Sequence, residues 1–315
     1  MSDKFARRDF LKTSIAAPAA AALALRLEER ILLAGSSSNV SAAGRSTAGR
    51  AMPTGKIGDV TISRLICGGN LTSGFAHSRD LVYVSSLLRN YFTDEKVFET
   101  WQLCEECGIN TAILRVDEQV IRLITKYRNE RGGKLQWIAQ LKITANDFSD
   151  IKTAIDHGAI GAYIHGGVSE GFVEAGRVEL LGKALDLTKQ NGAIAGIAGH
   201  KLEVPVACEK AGLKPDFYMK TLHTCNYWSA NLKPENDNIW CTNPQQTIEF
   251  MKTVTKPWIA YKVMAAGAIG PREGFKYAFE NGADFVCAGM FDFQVREDVI
   301  IAKDILSAKP KRQRP

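Results

Sequence analysis

The chain has 315 residues, 45% of them hydrophobic and 23% charged, with a formal net charge of +6 at pH 7. That length holds one barrel-sized domain or two ordinary ones, and the composition is globular, not disordered or collagen-like. The charge is spread without a basic block, so no nucleic-acid footprint is present, and seven cysteines in a chain this long do not make a disulfide scaffold.

The first 34 residues stand apart. "ARRDFLK" (6 to 12) precedes the alanine-rich run "TSIAAPAAAALAL", a charged segment before an apolar one too short to span a membrane as a helix. That is the layout of an export signal; the alternative is a frayed amphipathic helix. Residues 35–54, with "SSSNVSAAGRSTAGRA" at 36 to 51, read as a flexible linker in which no core can form. Folding is expected to begin near Met52, with the folded domain, the barrel argued below, over 55–310.

From residue 57 short β-rich runs alternate with segments of helical period. The strand candidates are "TISRLICGG" (61 to 69), "INTAILRV" (109 to 116), "LQWIAQLK" (135 to 142) and "AIGAYIHG" (159 to 166). They continue with "AIAGIAGH" (193 to 200), "DFYMKTLH" (216 to 223), "PWIAYKVM" (257 to 264) and "ADFVCAGM" (283 to 290). Helix candidates follow them, among them 94 to 108, 177 to 192 and 296 to 307. Asn243-Pro244 supplies an N-cap and a first-turn proline, and Gly108, Gly158, Gly192, Gly212 and Gly282 fall just past helix ends. Eight β-α units in about 250 residues predict an α/β fold, a (β/α)8 TIM barrel. The alternative is an open doubly wound sheet, whose glycine-rich phosphate turn is missing after the first strand.

In such a barrel the active site gathers at the C-terminal ends of the strands. Strand one offers Asn70 there, strand two Arg115 and Asp117, strand three Gln140 and Lys142, and strand four His165. Strand five ends in His200, strand six in Lys220 and His223, and strand seven carries Lys262. Three of the five histidines therefore end consecutive strands; His77 lies in the first loop and His157 ends a helix. Alternation places Gln136, Ile138, Gln140 and Lys142 on one face of strand three, so Lys142 is expected to point into the barrel. Lys220 and His223 differ in parity, which leaves open which of them faces the site. Tyr227, Trp228 and Trp240 follow in one long loop, where they either stack on a sugar face or hold the loop to the barrel.

Two chemistries fit these groups. Clustered lysines lower one another's pKa, and histidine transfers protons near neutral pH, which favours acid/base work by Lys142, His165, His200, Lys220 and His223. The second is a divalent metal held by His165, His200, Glu203 and His223. Asn70, Arg115, Asp117, Gln140, Tyr227, Trp228, Trp240 and Lys262 are the candidate substrate contacts. Cys225 and Cys241 flank one loop and are candidates for a disulfide in an oxidising compartment, whereas Cys104 and Cys107 are expected to pack.

The residues also carry resemblances. Arg7-Arg8-x-Phe10-Leu11-Lys12 resembles the twin-arginine signal of exported bacterial proteins, which implies the twin-arginine machinery as a partner and a periplasmic or otherwise exported location. "GKIGDVTISRLICGGN" (55 to 70), "CEECGIN" (104 to 110), "AYIHG" (162 to 166), "AYKVMAAG" (260 to 267) and "FQVRED" (293 to 298) resemble, in order, segments of the aldo-keto reductase superfamily. That family is a (β/α)8 barrel that reduces carbonyls with NADPH through an Asp, Tyr, Lys and His tetrad. Lys142 matches the lysine and His165 the histidine, but Ile113 stands at the aspartate position and no tyrosine follows in "LRVDEQVIRL". "GHKLEVP", "FYMKTLH" and "WCTNP" are similar to segments of exported, reductase-like bacterial proteins, which adds fold and export but no reaction.

The expected protein is an exported, aldo-keto-reductase-like barrel enzyme doing non-redox acid/base chemistry, as a lyase or isomerase, on a small carbohydrate-like substrate. Lys142 and His165 form its expected acid/base pair. No resident cofactor is expected beyond the metal alternative. Two other readings stay open: an NADPH-dependent oxidoreductase, and a non-catalytic sugar- or anion-binding barrel.

Overall fold

The computed structural model of the chain describes residues 51–75, 81, 83–227, 230 and 240–308. The chain divides into Met1–Ala48 and Gly49–Pro315, and the fold described here lies in the second unit. Its strands are β1 (Thr54–Ile57), β2 (Val60–Ser63), β3 (Leu65–Gly68), β4 (Thr111–Arg115) and β5 (Gln136–Leu141). They continue as β6 (Gly161–Ile164), β7 (Ile194–Gly199), β8 (Phe217–Thr221), β9 (Trp258–Tyr261) and β10 (Phe285–Gly289). The described helices are α1 (Val84–Tyr91), α2 (Asp94–Glu106), α3 (Glu118–Arg131), α4 (Ser149–Asp156) and α5 (Gly166–Glu174). After them come α6 (Val178–Gln190), α7 (Glu203–Lys210), α8 (Pro244–Thr253), α9 (Pro271–Glu280) and α10 (Asp292–Ser307).

Strands β3 to β10 are all parallel and close into a barrel, with β10 paired to β3 through Gly289 opposite Gly68. Closure removes the open doubly wound sheet from consideration. The first predicted strand is in fact two. β1 and β2 form an antiparallel hairpin, and the chain breaks at Arg64 before β3 begins. Arg64 is buried, and its guanidinium donates to the carbonyls of Thr54 and Asp284. Ile57 and Ile62 of the hairpin pack against Ile66, Ile194 and Phe285 inside the barrel, so the hairpin seals the end opposite the site.

Side-chain alternation builds two cores. Along β5, Ile138 belongs to the barrel interior, whereas Trp137, Ala139 and Leu141 face the helices. Burying each large apolar side chain in the outer layer contributes roughly 2–3 kcal/mol before chain entropy is counted. Met52 is part of this layer, two residues before β1.

Helix boundaries follow capping chemistry. Thr93 accepts the Lys96 N–H at the start of α2, Asp117 accepts that of Val120 for α3, and Asn243 accepts that of Gln246 for α8, with Pro244 in its first turn. Gly108 and Gly282 take φ of +90° and +97° just after α2 and α9, a conformation costly for any residue with a Cβ.

Candidate active site

A cavity of about 670 Å³ opens at the C-terminal ends of the strands. Asn70, Arg115, Gln140, His165, His200, Trp240 and Lys262 all line it, together with Tyr163, Tyr261 and the apolar side chains of Leu71, Leu88, Val263 and Met264. The structure thus brings together seven of the residues singled out by their position at strand ends or in the loop after strand six.

His200 is the most firmly held of them. Its backbone N–H and ring Nδ1 both meet Glu170 Oε1, at 2.6 and 3.1 Å, and Lys201 N–H donates to the same oxygen at 2.9 Å. On the other side, the His200 carbonyl accepts Lys220 Nζ at 2.7 Å and Thr221 Oγ1 at 2.9 Å. A carboxylate only accepts, so Nδ1 carries the proton and Nε2 keeps its lone pair. Burial alone would raise the Glu170 pKa, but the hydrogen bond from His200 and the backbone N–H groups hold it down to about 2. Burial lowers the His200 pKa, and Glu170 opposes that shift.

His165 has the opposite polarity. It caps α5, and its Nδ1 accepts the Gly167 N–H at 3.2 Å. In the neutral ring the proton therefore sits on Nε2. Burial, with the nearby charges of His200, Lys142 and Lys262, pushes His165 down to about 4, so the ring is neutral at physiological pH. The two imidazole centroids lie 6.1 Å apart. Gly166 permits this approach, because a Cβ there would come within 2.8 Å of His200 Cε1 and 3.0 Å of Tyr261 Oη.

Trp240 packs its ring 4.6 Å from that of His200, and Lys262 Nζ stands 3.8 Å from the indole centroid. The indole is thereby engaged by two protein groups, which favours an orienting role over sugar stacking. Arg115 lies over the Phe75 ring at 4.2 Å and pairs with Asp117 at 3.2 Å. Gln140 donates to the Tyr163 hydroxyl at 2.8 Å. Tyr261 Oη is enclosed beside Gly166 and has no hydrogen-bond partner among the described residues.

Other candidates stand elsewhere. Lys142 is exposed one residue past β5, outside the cavity lining, and the expectation that it points into the barrel is corrected: the interior face of β5 ends at Gln140. Lys220 shares the outward parity of Tyr218 on β8, is 1% exposed, and spends its three N–H donors on the His200 carbonyl, the Thr221 carbonyl and Thr221 Oγ1. Burial lowers its pKa to about 8. His223 has both ring nitrogens engaged: Nδ1 meets the Thr224 carbonyl, and Nε2 accepts the N–H groups of Trp240 and Cys241 at 3.0 and 2.9 Å. The end of strand six therefore lies behind the site and holds its loop, and only Met219 of β8 reaches the cavity. Tyr227 packs edge-on against His223, and Asp117 caps α3. Trp228 and His77 lie outside the described residues.

The expected metal set is not assembled. His223 is fully engaged, Glu203 is exposed at the start of α7, and among the described residues no three His, Cys, Asp or Glu side chains are grouped to hold an ion. Cys225 and Cys241 are free thiols, with Cys225 Sγ 3.2 Å from the Cys241 carbonyl. Glu170 escaped the sequence reading, because nothing in "HGGVSEG" shows that α5 returns this side chain to the end of the next strand.

The family model of the twin-arginine translocation (TAT) pathway signal sequence matches residues 4–24. The chain carries a twin-arginine export signal. No curated protein matches this sequence. Among solved structures, a Pseudomonas aeruginosa chain classed as an aldo-keto reductase superposes with a TM-score of 0.58 at 14% identity, covering 83% of this chain and 99% of that one. The holo form of the aldo-keto reductase AKR11C1 from Bacillus halodurans gives 0.53 at 12% identity, covering 84% and 98%. The fold is that of the aldo-keto reductases. At these identities the likeness concerns the reductase-like barrel, not its reaction. Among the described residues no helix is long and apolar enough to cross a membrane.

The cofactor implied by that fold is NADPH. The cavity wall formed by Val263, Met264, Ile269 and Phe291 is apolar, and the arginines on the adjoining helices are already paired, Arg272 with Asp304 and Arg296 with Glu106. Asp292, at the start of α10, pairs with Lys96. Ile113, on the inward face of β4, adds a further apolar side chain to the cavity lining. Both of these arginine pairs are solvent-exposed, and no step is derived through a nucleotide.

Proposed function

We propose that the protein is an exported barrel enzyme that moves a proton next to a carbonyl on a small, carbohydrate-like substrate, as an isomerase or lyase. One observation carries this reading: two neutral imidazoles of opposite hydrogen-bond polarity meet at one cavity. His200 Nε2 takes the proton from the carbon beside the carbonyl, and the C–H electron pair moves into the enolate. His165 Nε2–H donates to the enolate oxygen, and the Lys262 ammonium adds electrostatic stabilisation. The proton then returns to the neighbouring carbon in an isomerase, or a β-substituent leaves in a lyase. His200 takes the place expected of Lys142, which lies outside the cavity lining.

The test is loss of α-proton signal from keto-sugars in D2O, followed by NMR with the wild-type protein and with His200→Ala. Wild-type exchange that His200→Ala abolishes supports the reading. Saturable NADPH binding in the micromolar range coupled to carbonyl reduction would replace it with the oxidoreductase reading. Sugar binding without exchange or reduction would leave a binding barrel.

A further inference from the structure

The cavity lining divides into two chemically different sides. Around the barrel the strands run β10, β3, β4, β5, β6, β7, β8 and β9, so β7 stands opposite β3 and β6 opposite β10. His200 follows β7 and His165 follows β6, which puts the imidazole pair on one side of the mouth. Across from it, the segments after β3 and β10 supply Leu71, Phe75, Val84, Leu88 and Phe291. The polar side chains there are Asn70 and Gln294, and Gln294 Oε1 accepts the Phe291 N–H. Arg115, on neighbouring β4, lies over the Phe75 ring.

This apolar wall is built into the fold. Helix α1 is an addition between β3 and α2, and it presents Val84 and Leu88, one turn apart, to the cavity. Leu71 lies against Gly289, where an added Cβ would stand 3.1 Å from the leucine Cγ. Phe291 stacks on Phe92 at 5.3 Å and on Phe293 at 5.1 Å, and Phe293 carries the apolar surface outward, being 69% exposed. A wall set in advance by such packing costs a ligand little ordering.

Size indicates what the wall is for. At about 670 Å³ the cavity falls within the range, roughly 300–1,000 Å³, that encloses drug-sized ligands. A single small sugar at the imidazoles fills only part of that volume and leaves the opposite wall in water, forgoing its apolar contact.

We propose that the substrate is a conjugate. Its small, carbohydrate-like head reaches His165 and His200, and an aryl or alkyl group joined to that head rests on Leu71, Val84, Leu88 and Phe291. The inference rests on the reading of the cavity as the catalytic site and names its substrate class.

Calorimetric titration of the protein with methyl, phenyl and hexyl β-D-glucosides, and with their galactose and mannose counterparts, tests it. At least one phenyl or hexyl conjugate is expected to bind about tenfold or more tightly than its methyl counterpart, with a negative heat-capacity change. The phenyl and hexyl arms decide between a flat and a flexible apolar group. Leu71 and Val84 are both half-buried, so polar replacements there are tolerable. Leu71→Asn and Val84→Asn, each checked for folding by thermal melting, are expected to weaken the conjugate about threefold or more and to leave the methyl glycoside unchanged. The proposal is overturned if no conjugate binds, if methyl glycosides bind as tightly, or if both variants bind the conjugate like wild type. Conjugate binding without proton exchange from any keto-sugar would sink the acid/base reading and leave the apolar subsite standing. Exchange from keto-sugars with no preference for conjugates would do the reverse.

Discussion

Glu170 holds His200 twice through one oxygen, taking its backbone N–H at 2.6 Å and its ring Nδ1 proton at 3.1 Å. The first bond fixes where the end of β7 lies, and the second fixes which ring nitrogen carries the proton. Glu170 is thus a positioning residue acting through His200. Replacement by glutamine keeps the shape but removes the charge that favours the imidazolium. Glu170→Gln is therefore expected to lower the His200 pKa further and to slow proton exchange by about 10- to 100-fold. A 15N NMR titration of the ring checks the first effect, and a merely structural role would leave that pKa unmoved.

The same carboxylate makes stability pH-dependent. Its folded pKa, about 2, lies below the ordinary glutamate value, so the unfolded chain binds the proton more readily. The contribution is complete above the unfolded value near 4.5 and is lost as pH falls through about 2. Its size is on the order of 3 kcal/mol. Denaturant melts at pH 6 and pH 3 should show a larger drop for wild type than for Glu170→Gln. Equal drops would mean that Glu170 is not held ionised.

The barrel was legible because period-2 runs and glycine-ended helices are local signals. The eight barrel strands lie within their predicted runs, and only the first run is broken, at Arg64, between the end of the hairpin strand β2 and the barrel strand β3. The site was legible where parity is decisive. Arg115 shares the inward face of Ile113, and Gln140 that of Ile138. Parity stops at the strand's last hydrogen bond, so it misplaced Lys142, whose backbone N–H already bonds to Asp150 outside β5. Nor does one-dimensional order show that Lys220 turns outward and back to a carbonyl, or that Glu170 meets His200 from 30 residues away.

Lys142 should therefore behave differently from the histidine it was grouped with. Lys142→Ala removes an exposed cation that reaches His165 only through its charge. Its effect on proton exchange is expected to stay within about threefold, since exposed charges act weakly at a distance. His200→Ala removes the base and should cost at least about 100-fold. Parallel exchange assays on the two variants decide the matter. A collapse with Lys142→Ala and survival with His200→Ala would restore the lysine as the acid/base partner.

His223 has become a structural residue, and that role has a measurable cost. Its ring is 1% exposed, with Nε2 as acceptor for two backbone N–H groups and Nδ1 against the Thr224 carbonyl. Protonation at low pH would put a donor where two donors already point, so burial and this arrangement both favour the neutral ring. His223→Ala would leave the N–H groups of Trp240 and Cys241 without their acceptor and open space beneath the loop. The expected loss is about 3 kcal/mol or more of unfolding free energy. Because the Trp240 ring packs against His200, proton exchange should slow along with the loss of stability. Urea unfolding and the proton-exchange assay on His223→Ala test the two effects together. A variant as stable as wild type would show that the loop is held by other contacts and that His223 is available for chemistry after all.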